Sequence, residues 1–165
     1  NLSLGIGFFV LEQYNDALYF TKRGIQWFRD GVRDEHTPVA RILLLLISYS
    51  MNDSSLFDSE YRSTHAYFLK RKKKQPFETA LVQCLHRTFY MKDSRKKAEE
   101  YKKALEVFEA NDTNSVQQMS VSIFNYPGWL KSRVERISYR QLVERNVRTA
   151  GLEKTTDLSS MVPVL

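Results

Sequence analysis

Cysteine is the scarcest reactive residue of this chain, with one thiol, Cys84, in 165 residues. A single cysteine cannot form an internal disulfide, and it cannot build a zinc site made of thiolates. Cys84 lies among Leu81, Val82 and Leu85, which together have the pattern of a buried helix face. We therefore predict a buried and chemically inert thiol rather than a nucleophile.

The chain also lacks a long hydrophobic run. Its longest uninterrupted apolar stretch, Ile42 to Ile47, has six residues, whereas a helix needs about 20 apolar residues to cross a bilayer. This absence predicts that the chain does not insert into a membrane, and we expect it in the cytoplasm.

Histidine is rare as well, and the three that occur, at positions 36, 65 and 86, are far apart in the sequence. They form no pair at metal-ligand spacing, and the chain contains neither a His-Glu-x-x-His sequence nor a glycine-rich phosphate loop. Adjacent carboxylates such as Glu99 and Glu100 do not face each other on a helix, so they cannot flank one substrate bond. We expect no catalytic residue, no metal and no cofactor, and predict that the protein is not an enzyme.

Glycine and proline are few, with six and four occurrences. Leucine, lysine, glutamate, arginine and alanine dominate long windows instead, and this distribution predicts an all-α protein. Thr37 is the expected N-cap of one helix, with Pro38 at its first helical position. Helical spacing and break residues divide the chain into hairpins at about 2–32, 37–71 and 75–110, a helical cap at 116–146 and a flexible tail at 147–165.

The first hairpin carries an ordered set of large and small residues at the positions where two helices would touch. Leu4, Gly5, Phe8, Tyr14 and Ala17 follow the spacing of a helical repeat. The second helices of the later hairpins repeat the theme as Tyr61, Thr64 and Phe68, and as Tyr101, Ala104 and Phe108. In this order and spacing the chain resembles tetratricopeptide repeat proteins.

The resemblance covers about residues 1–110 and implies a right-handed stack of antiparallel helical hairpins. It also implies a non-catalytic scaffold that binds a protein or peptide in a groove. Tyrosines 14, 61 and 101 are 47 and 40 residues apart, longer than the usual period of about 34 residues, so the repeats are degenerate. The Leu-rich and Lys-rich helices are also similar to uncharacterised helical-repeat proteins of bacteria.

In such a stack the first helix of each hairpin lines the groove, and we expect the partner to bind there. Six residues are expected on the groove-facing side of these helices, and they are Phe9, Gln13, Arg41, Ser48, Gln83 and Arg87. The aromatic side chains of the first hairpin are also expected to interlock adjacent helices as core, and they are Phe8, Phe9, Phe20, Trp27 and Phe28.

The formal net charge of +6 leaves a second function open. A basic edge, Lys70, Arg71, Lys72, Lys73 and Lys74, could hold the phosphates of a nucleic acid. The alternative is a solvated surface with no ligand, because lysines are expected at a helix C-terminus.

A third possibility follows from the first residues of the chain, which lack an initiator Met and lie inside a predicted helix. The chain would then be a segment of a longer solenoid, whose open first face packs on further repeats or on a second copy in self-association.

Overall fold

The computed structural model describes residues 1–29, 36–71, 75–110 and 115–150. Within these ranges all regular structure is helical, with nine helices and no strand, so the predicted all-α class is confirmed. The helices are α1 (Leu2–Val10), α2 (Tyr14–Arg29), α3 (Thr37–Met51), α4 (Ser54–Lys70), α5 (Pro76–Phe89), α6 (Ser94–Ala110), α7 (Ser115–Ile123), α8 (Tyr126–Glu135) and α9 (Tyr139–Thr149). Lys72–Lys74 of the predicted basic edge and residues 151–165 of the predicted tail lie outside the described residues.

Short polar side chains begin several of these helices by accepting hydrogen bonds from otherwise unpaired backbone N–H groups. Asp53 Oδ1 accepts from the backbone N of Leu56 at 2.9 Å. Ser138 and Gln141 form a reciprocal capping box at the start of α9. At α3 the N-cap is His36 rather than Thr37, and Thr37 is the first helical residue.

Each helix packs on its neighbour in sequence from α1 to α6, as in a helical stack. α3 also contacts α1 and α5, so the first helices of the three hairpins lie side by side. α8 packs on α6, and α9 returns to contact α1. The C-terminal helices therefore reach across the array instead of only extending it.

The α1–α2 contact is close because two small residues lie in it. Gly5 and Ala17 are buried, and a Cβ added to Gly5 would lie 2.3 Å from Thr21 Oγ1. A side chain larger than that of Thr21 would crowd Gly5 at this close approach.

α3 is enclosed on all sides. Every residue from Ile42 to Ser48 is buried, so its apolar surface covers the whole circumference rather than one stripe. A helix of this kind needs neighbours all round, and α1, α2, α4 and α5 all contact it. None of the described helices combines the length and apolar character needed to cross a membrane.

Candidate binding surfaces

The C-terminal helices cover one side of the array. We call the surface that α1, α3 and α5 present to them the inner face, and residues 124–142 the closing segment. Four aromatic rings of the closing segment contact all three helices. The ring pairs, with centroid distances, are Phe124–Phe9 at 5.7 Å, Tyr139–Phe9 at 6.1 Å, Trp129–Tyr49 at 5.8 Å and Tyr126–Phe77 at 6.5 Å. The groove expected along the first helices is therefore occupied by the chain itself.

The six candidate groove residues do not form one open surface. Phe9 and Ser48 are 2% and 0% exposed, so the expectation that they face an open groove is wrong for this state of the chain. Arg41 is half-buried, donates to Ser63 Oγ at 3.0 Å and lies 4.7 Å from the ring centroid of Tyr67. Gln13, Gln83 and Arg87 are exposed, and Arg87 pairs with Glu100 at 2.8 Å.

A chain of hydroxyl groups lies where α3, α5, α6 and α8 meet. Thr88 donates to the carbonyl of Cys84 at 2.8 Å, so its oxygen accepts from Tyr49, whose hydroxyl is 3.0 Å away. Tyr49 then has no second proton, and Tyr101 is the donor in the hydrogen bond between the two tyrosines. Burial raises the pKa of Tyr49 above its usual range, so this hydroxyl stays neutral. The network joins α3, α5 and α6 beside the ring of Trp129, which contacts both tyrosines.

The thiol of Cys84 matches its sequence interpretation in location and chemistry. It is fully buried on α5, and burial raises its pKa to about 12, with the negative charge of Glu100 adding to the effect. A thiol with this pKa carries almost no thiolate at neutral pH. Across the described ranges, no group of three or more His, Cys, Asp or Glu side chains is placed to hold a metal ion.

The basic edge is only partly a surface. Lys70 is exposed, but Arg71 is half-buried and donates two hydrogen bonds to the buried carboxylate of Glu78, at 2.9 and 2.8 Å. Arg71 therefore serves an internal ion pair, and removing it would leave the charge of Glu78 uncompensated.

The ion pair has a pH dependence that follows from its burial. Burial raises the pKa of Glu78 above its ordinary 4.5, by more than Arg71 lowers it. Because the folded pKa is raised, the stability linked to this group is present below the ordinary pKa and falls as the pH rises through the folded value.

The residues that carry the resemblance to a helical repeat are mostly buried, with one exposed exception. Each of α2, α4 and α6 carries three positions at the spacing i, i+3 and i+7, which we call a triad; the triads are Tyr14, Ala17 and Thr21, then Tyr61, Thr64 and Phe68, then Tyr101, Ala104 and Phe108. The second position of each triad is buried, with at most 3% exposed. The third positions are buried too, as Thr21, Phe68 and Phe108. The tyrosines at 14 and 61 are half-buried, and the one at 101 is buried. Leu4 differs, because 46% of it is exposed.

Leu4 belongs to an open apolar surface on the first hairpin, which we call the end face and define as Leu4, Phe8, Tyr19, Phe20 and Trp27. Tyr19 and Trp27 are 54% and 66% exposed, so the expectation that Trp27 packs in the core is wrong. Phe8 stacks on Phe20 at a centroid distance of 5.3 Å, and Tyr19 meets the edge of Phe20 at 5.2 Å. These contacts join Phe8 of α1 to Tyr19 and Phe20 of α2. Leu4 and Trp27 lie about one and two helical turns further along the same two helices.

A second open feature is a cleft of about 460 Å³ between the start of α6 and the α8–α9 turn. We call it the cationic cleft, because Lys97, Arg133 and Arg136 line it. Lys97 is 36 positions from Arg133 and 39 from Arg136, so no local pattern in the sequence indicates the cleft. The end face did have such a signal, since Tyr19, Arg23 and Trp27 recur every four residues along α2.

Comparisons with known proteins assign no role to either surface. No protein-family model matches the chain. Searches of curated proteins and of solved structures also found no match. Any function must therefore be argued from the residues and their geometry.

Proposed function

We propose that this chain is a non-catalytic protein-binding scaffold of the tetratricopeptide type, and that it binds its partner through the end face. One observation carries the proposal: α1 has no charged residue, yet one side of it remains open, together with Tyr19 and Trp27 of α2. Contiguous exposed apolar surface marks interaction sites on soluble proteins. Aromatic and arginine side chains are also the residues that dominate binding energy in interfaces.

The tetratricopeptide assignment is supported by the burial of the second and third triad positions in α2, α4 and α6 and by the packing of successive helices. In that architecture each hairpin presents both helices to the next hairpin. The end face is the corresponding surface of the first hairpin, which no described element covers. We propose a right-handed stack that acts in the cytoplasm of a bacterial cell.

The end face has the chemistry of a surface that accepts an amphipathic helix or the apolar side of another helical repeat. Arg23 lies between Tyr19 and Trp27 along α2. Its side chain is held in place, because it donates to the Tyr19 hydroxyl at 2.9 Å and its Cζ atom lies 5.6 Å from the centroid of the Tyr19 ring. A positioned arginine beside two exposed aromatic rings can fix the register of a partner helix through its carboxylates.

The test is capture of partners from a lysate of the source cell on three immobilised forms of the full chain, each with and without nuclease. The forms are wild type, Tyr19→Ser/Trp27→Ser, and the matched control Leu69→Ser/Val147→Ser, which removes two exposed apolar side chains from α4 and α9. We expect a nuclease-resistant protein that is lost from the end-face variant alone. Retention of every partner by that variant would contradict the proposal.

The nucleic-acid alternative is tested in the same experiment with a Lys72→Glu/Lys73→Glu/Lys74→Glu variant. Recovery of nucleic acid by wild type, and its loss from this variant, would make the basic edge the functional surface. The scaffold proposal predicts that the charge-reversed variant captures the same protein as wild type.

Self-association is a second candidate function, and one arrangement of charges favours it. Asp16 and Arg23 are exposed on α2 and lie at equal distances in sequence on either side of the Tyr19–Phe20 centre of the end face. Two copies that pack α2 against α2 in antiparallel orientation would place each Asp16 opposite the other copy's Arg23. Such a two-fold contact is self-complementary.

Sedimentation equilibrium of four forms tests this candidate: wild type, Asp16→Arg, Arg23→Asp and the double exchange. A two-fold contact predicts that each single exchange weakens the dimer and that the double exchange restores it. A wild-type mass that stays monomeric at all concentrations would exclude self-association and leave the binding of a different protein standing.

A further inference from the structure

The cationic cleft carries an inference that does not depend on the end face. Besides Lys97, Arg133 and Arg136, its lining consists of Ser94, Tyr101, Ile137 and Ser138, without a carboxylate among these described residues. The volume of about 460 Å³ lies within the range of about 300–1,000 Å³ typical of small-molecule sites. Three positive charges around one concave surface favour an anionic occupant.

Arg133 is held in the cleft with unused hydrogen-bonding capacity. Its guanidinium lies over the ring of Trp129, 4.9 Å from the centroid, and this contact fixes the side chain. Its Nε atom is buried and has no acceptor among the described residues. A guanidinium that is positioned by a ring and has no carboxylate partner is available to an anion in the cleft.

Arg136 keeps a backbone conformation that glycine would adopt at lower cost. It is the C-cap of α8, with φ 58° and ψ 37° in the left-handed region. Helices frequently end on glycine at such a position, because an L side chain is strained there. An arginine in this strained conformation at the edge of a cleft is consistent with a binding role for its side chain.

The carboxylates next to the cleft are already engaged. Glu135 pairs with Arg145 at 2.7 Å. Asp93 uses Oδ1 to accept from the backbone N atoms of Arg95 and Lys96, at 2.9 and 3.2 Å. No ion pair joins Lys97, Arg133 or Arg136 to a carboxylate within the described part of the chain.

Among the uncharged polar groups of the cleft, the two serines can add hydrogen-bond donors to the three cations, whereas Tyr101 cannot. The Tyr101 hydroxyl hydrogen is committed to Tyr49, so Tyr101 offers only an acceptor. Ser138 accepts from the backbone N of Gln141 at 3.1 Å and keeps its own hydroxyl hydrogen as a donor. Ser94 begins α6 and is exposed, so its hydroxyl is a further possible donor.

We propose that the cationic cleft binds the phosphate group of a small phosphorylated molecule. A phosphate monoester carries a charge close to −2 at neutral pH and three acceptor oxygens, which match two guanidinium groups and one ammonium group. A single carboxylate would neutralise only one of the three cations. Arginine suits this ligand because its planar fork can donate two hydrogen bonds to one phosphate.

The test is isothermal titration of the full chain with inorganic phosphate, glycerol phosphate and glycerol. Both phosphates are expected to bind and glycerol is not. Arg136→Gly is the main variant, because it removes one cation and relieves the left-handed strain, so it should raise the melting temperature while it weakens phosphate binding at least tenfold. Arg133→Gln is expected to weaken binding to a similar extent.

Glu12→Gly is the matched control, since Glu12 also has a positive φ, 63°, but lies in the α1–α2 turn outside the cleft. It should raise the melting temperature without weakening phosphate binding. Absence of phosphate binding by wild type would overturn the proposal, as would equal affinity of wild type and Arg136→Gly. Binding of a short RNA but of neither small phosphate would assign the cleft to nucleic acid instead and would also overturn it.

Discussion

α1 and α3 are both first helices of hairpins and both are almost free of charge, yet their surroundings differ. α3 contains one charged residue, Arg41, and its segment from Ile42 to Ser48 is buried all round. α1 contains none and buries one side, while Leu4 on its other side is 46% exposed. These two helices show that an apolar sequence predicts that a helix will be buried, but not which element or partner buries it. The neighbouring helices α1, α2, α4 and α5, together with Trp129 of the closing segment, cover α3, and we propose that a partner covers the open side of α1.

The tryptophans give the largest expected difference between the two regions. Trp129 of the closing segment is 0% exposed, whereas Trp27 of the end face is 66% exposed. Trp129→Ala should lower the free energy of unfolding by about 3–5 kcal/mol, since it opens a cavity against α3 and α6. Trp27→Ala should change it by about 0.5 kcal/mol or less. Urea unfolding of both variants measures these losses in the free energy of unfolding. Similar losses in the two variants would contradict the assignment of Trp27 to an open surface.

Leucines on the two helices give the next largest difference. Leu45 of α3 is fully buried, and Leu45→Ala should cost about 2–5 kcal/mol through lost apolar contact and an unfilled cavity. Leu4→Ala should cost about 1 kcal/mol or less, because solvent already reaches much of the side chain. A Leu4→Ala loss as large as that of Leu45→Ala would mean that the monomer itself covers the end face.

Two glycines of α1 sharpen the comparison within one helix. A Cβ at Gly5 would meet Thr21 Oγ1 at 2.3 Å and Thr21 N at 3.2 Å, so Gly5→Ala should destabilise the fold by about 1–3 kcal/mol. A Cβ at Gly7 would meet nothing within 4 Å, and Gly7→Ala should stabilise by about 0.4–1 kcal/mol because it lowers the entropy of the unfolded chain. Thermal unfolding compares them, and stabilisation by both would refute the close α1–α2 packing.

The helices themselves were predictable from the sequence because their signals are local. Apolar residues at helical spacing and the break at Asn52–Asp53 lie within a few positions of the structure they indicate, and the structure has helix ends there. The all-α class followed from the same local preferences. The shift of the α3 cap from Thr37 to His36 is an error of one residue, of the size expected at helix ends.

The candidate groove was not predictable, because its state depends on a tertiary contact. Residues 116–146 match no repeat, and no periodicity indicates that Trp129 folds back onto Tyr49 or that Phe124 covers Phe9. Arg71 and Glu78 meet across a break between helices, where helical spacing rules do not apply.

The central claim is that the chain covers its own inner face and leaves the end face open, and the two tryptophans report on these surfaces separately. The direct measurement is acrylamide quenching and emission wavelength of Trp129→Phe, which retains Trp27, and of Trp27→Phe, which retains Trp129. At low protein concentration we predict red-shifted, readily quenched emission from Trp27 and blue-shifted, weakly quenched emission from Trp129. Trp129 emission that is quenched as readily as that of Trp27 would show that the inner face is open and would contradict the account.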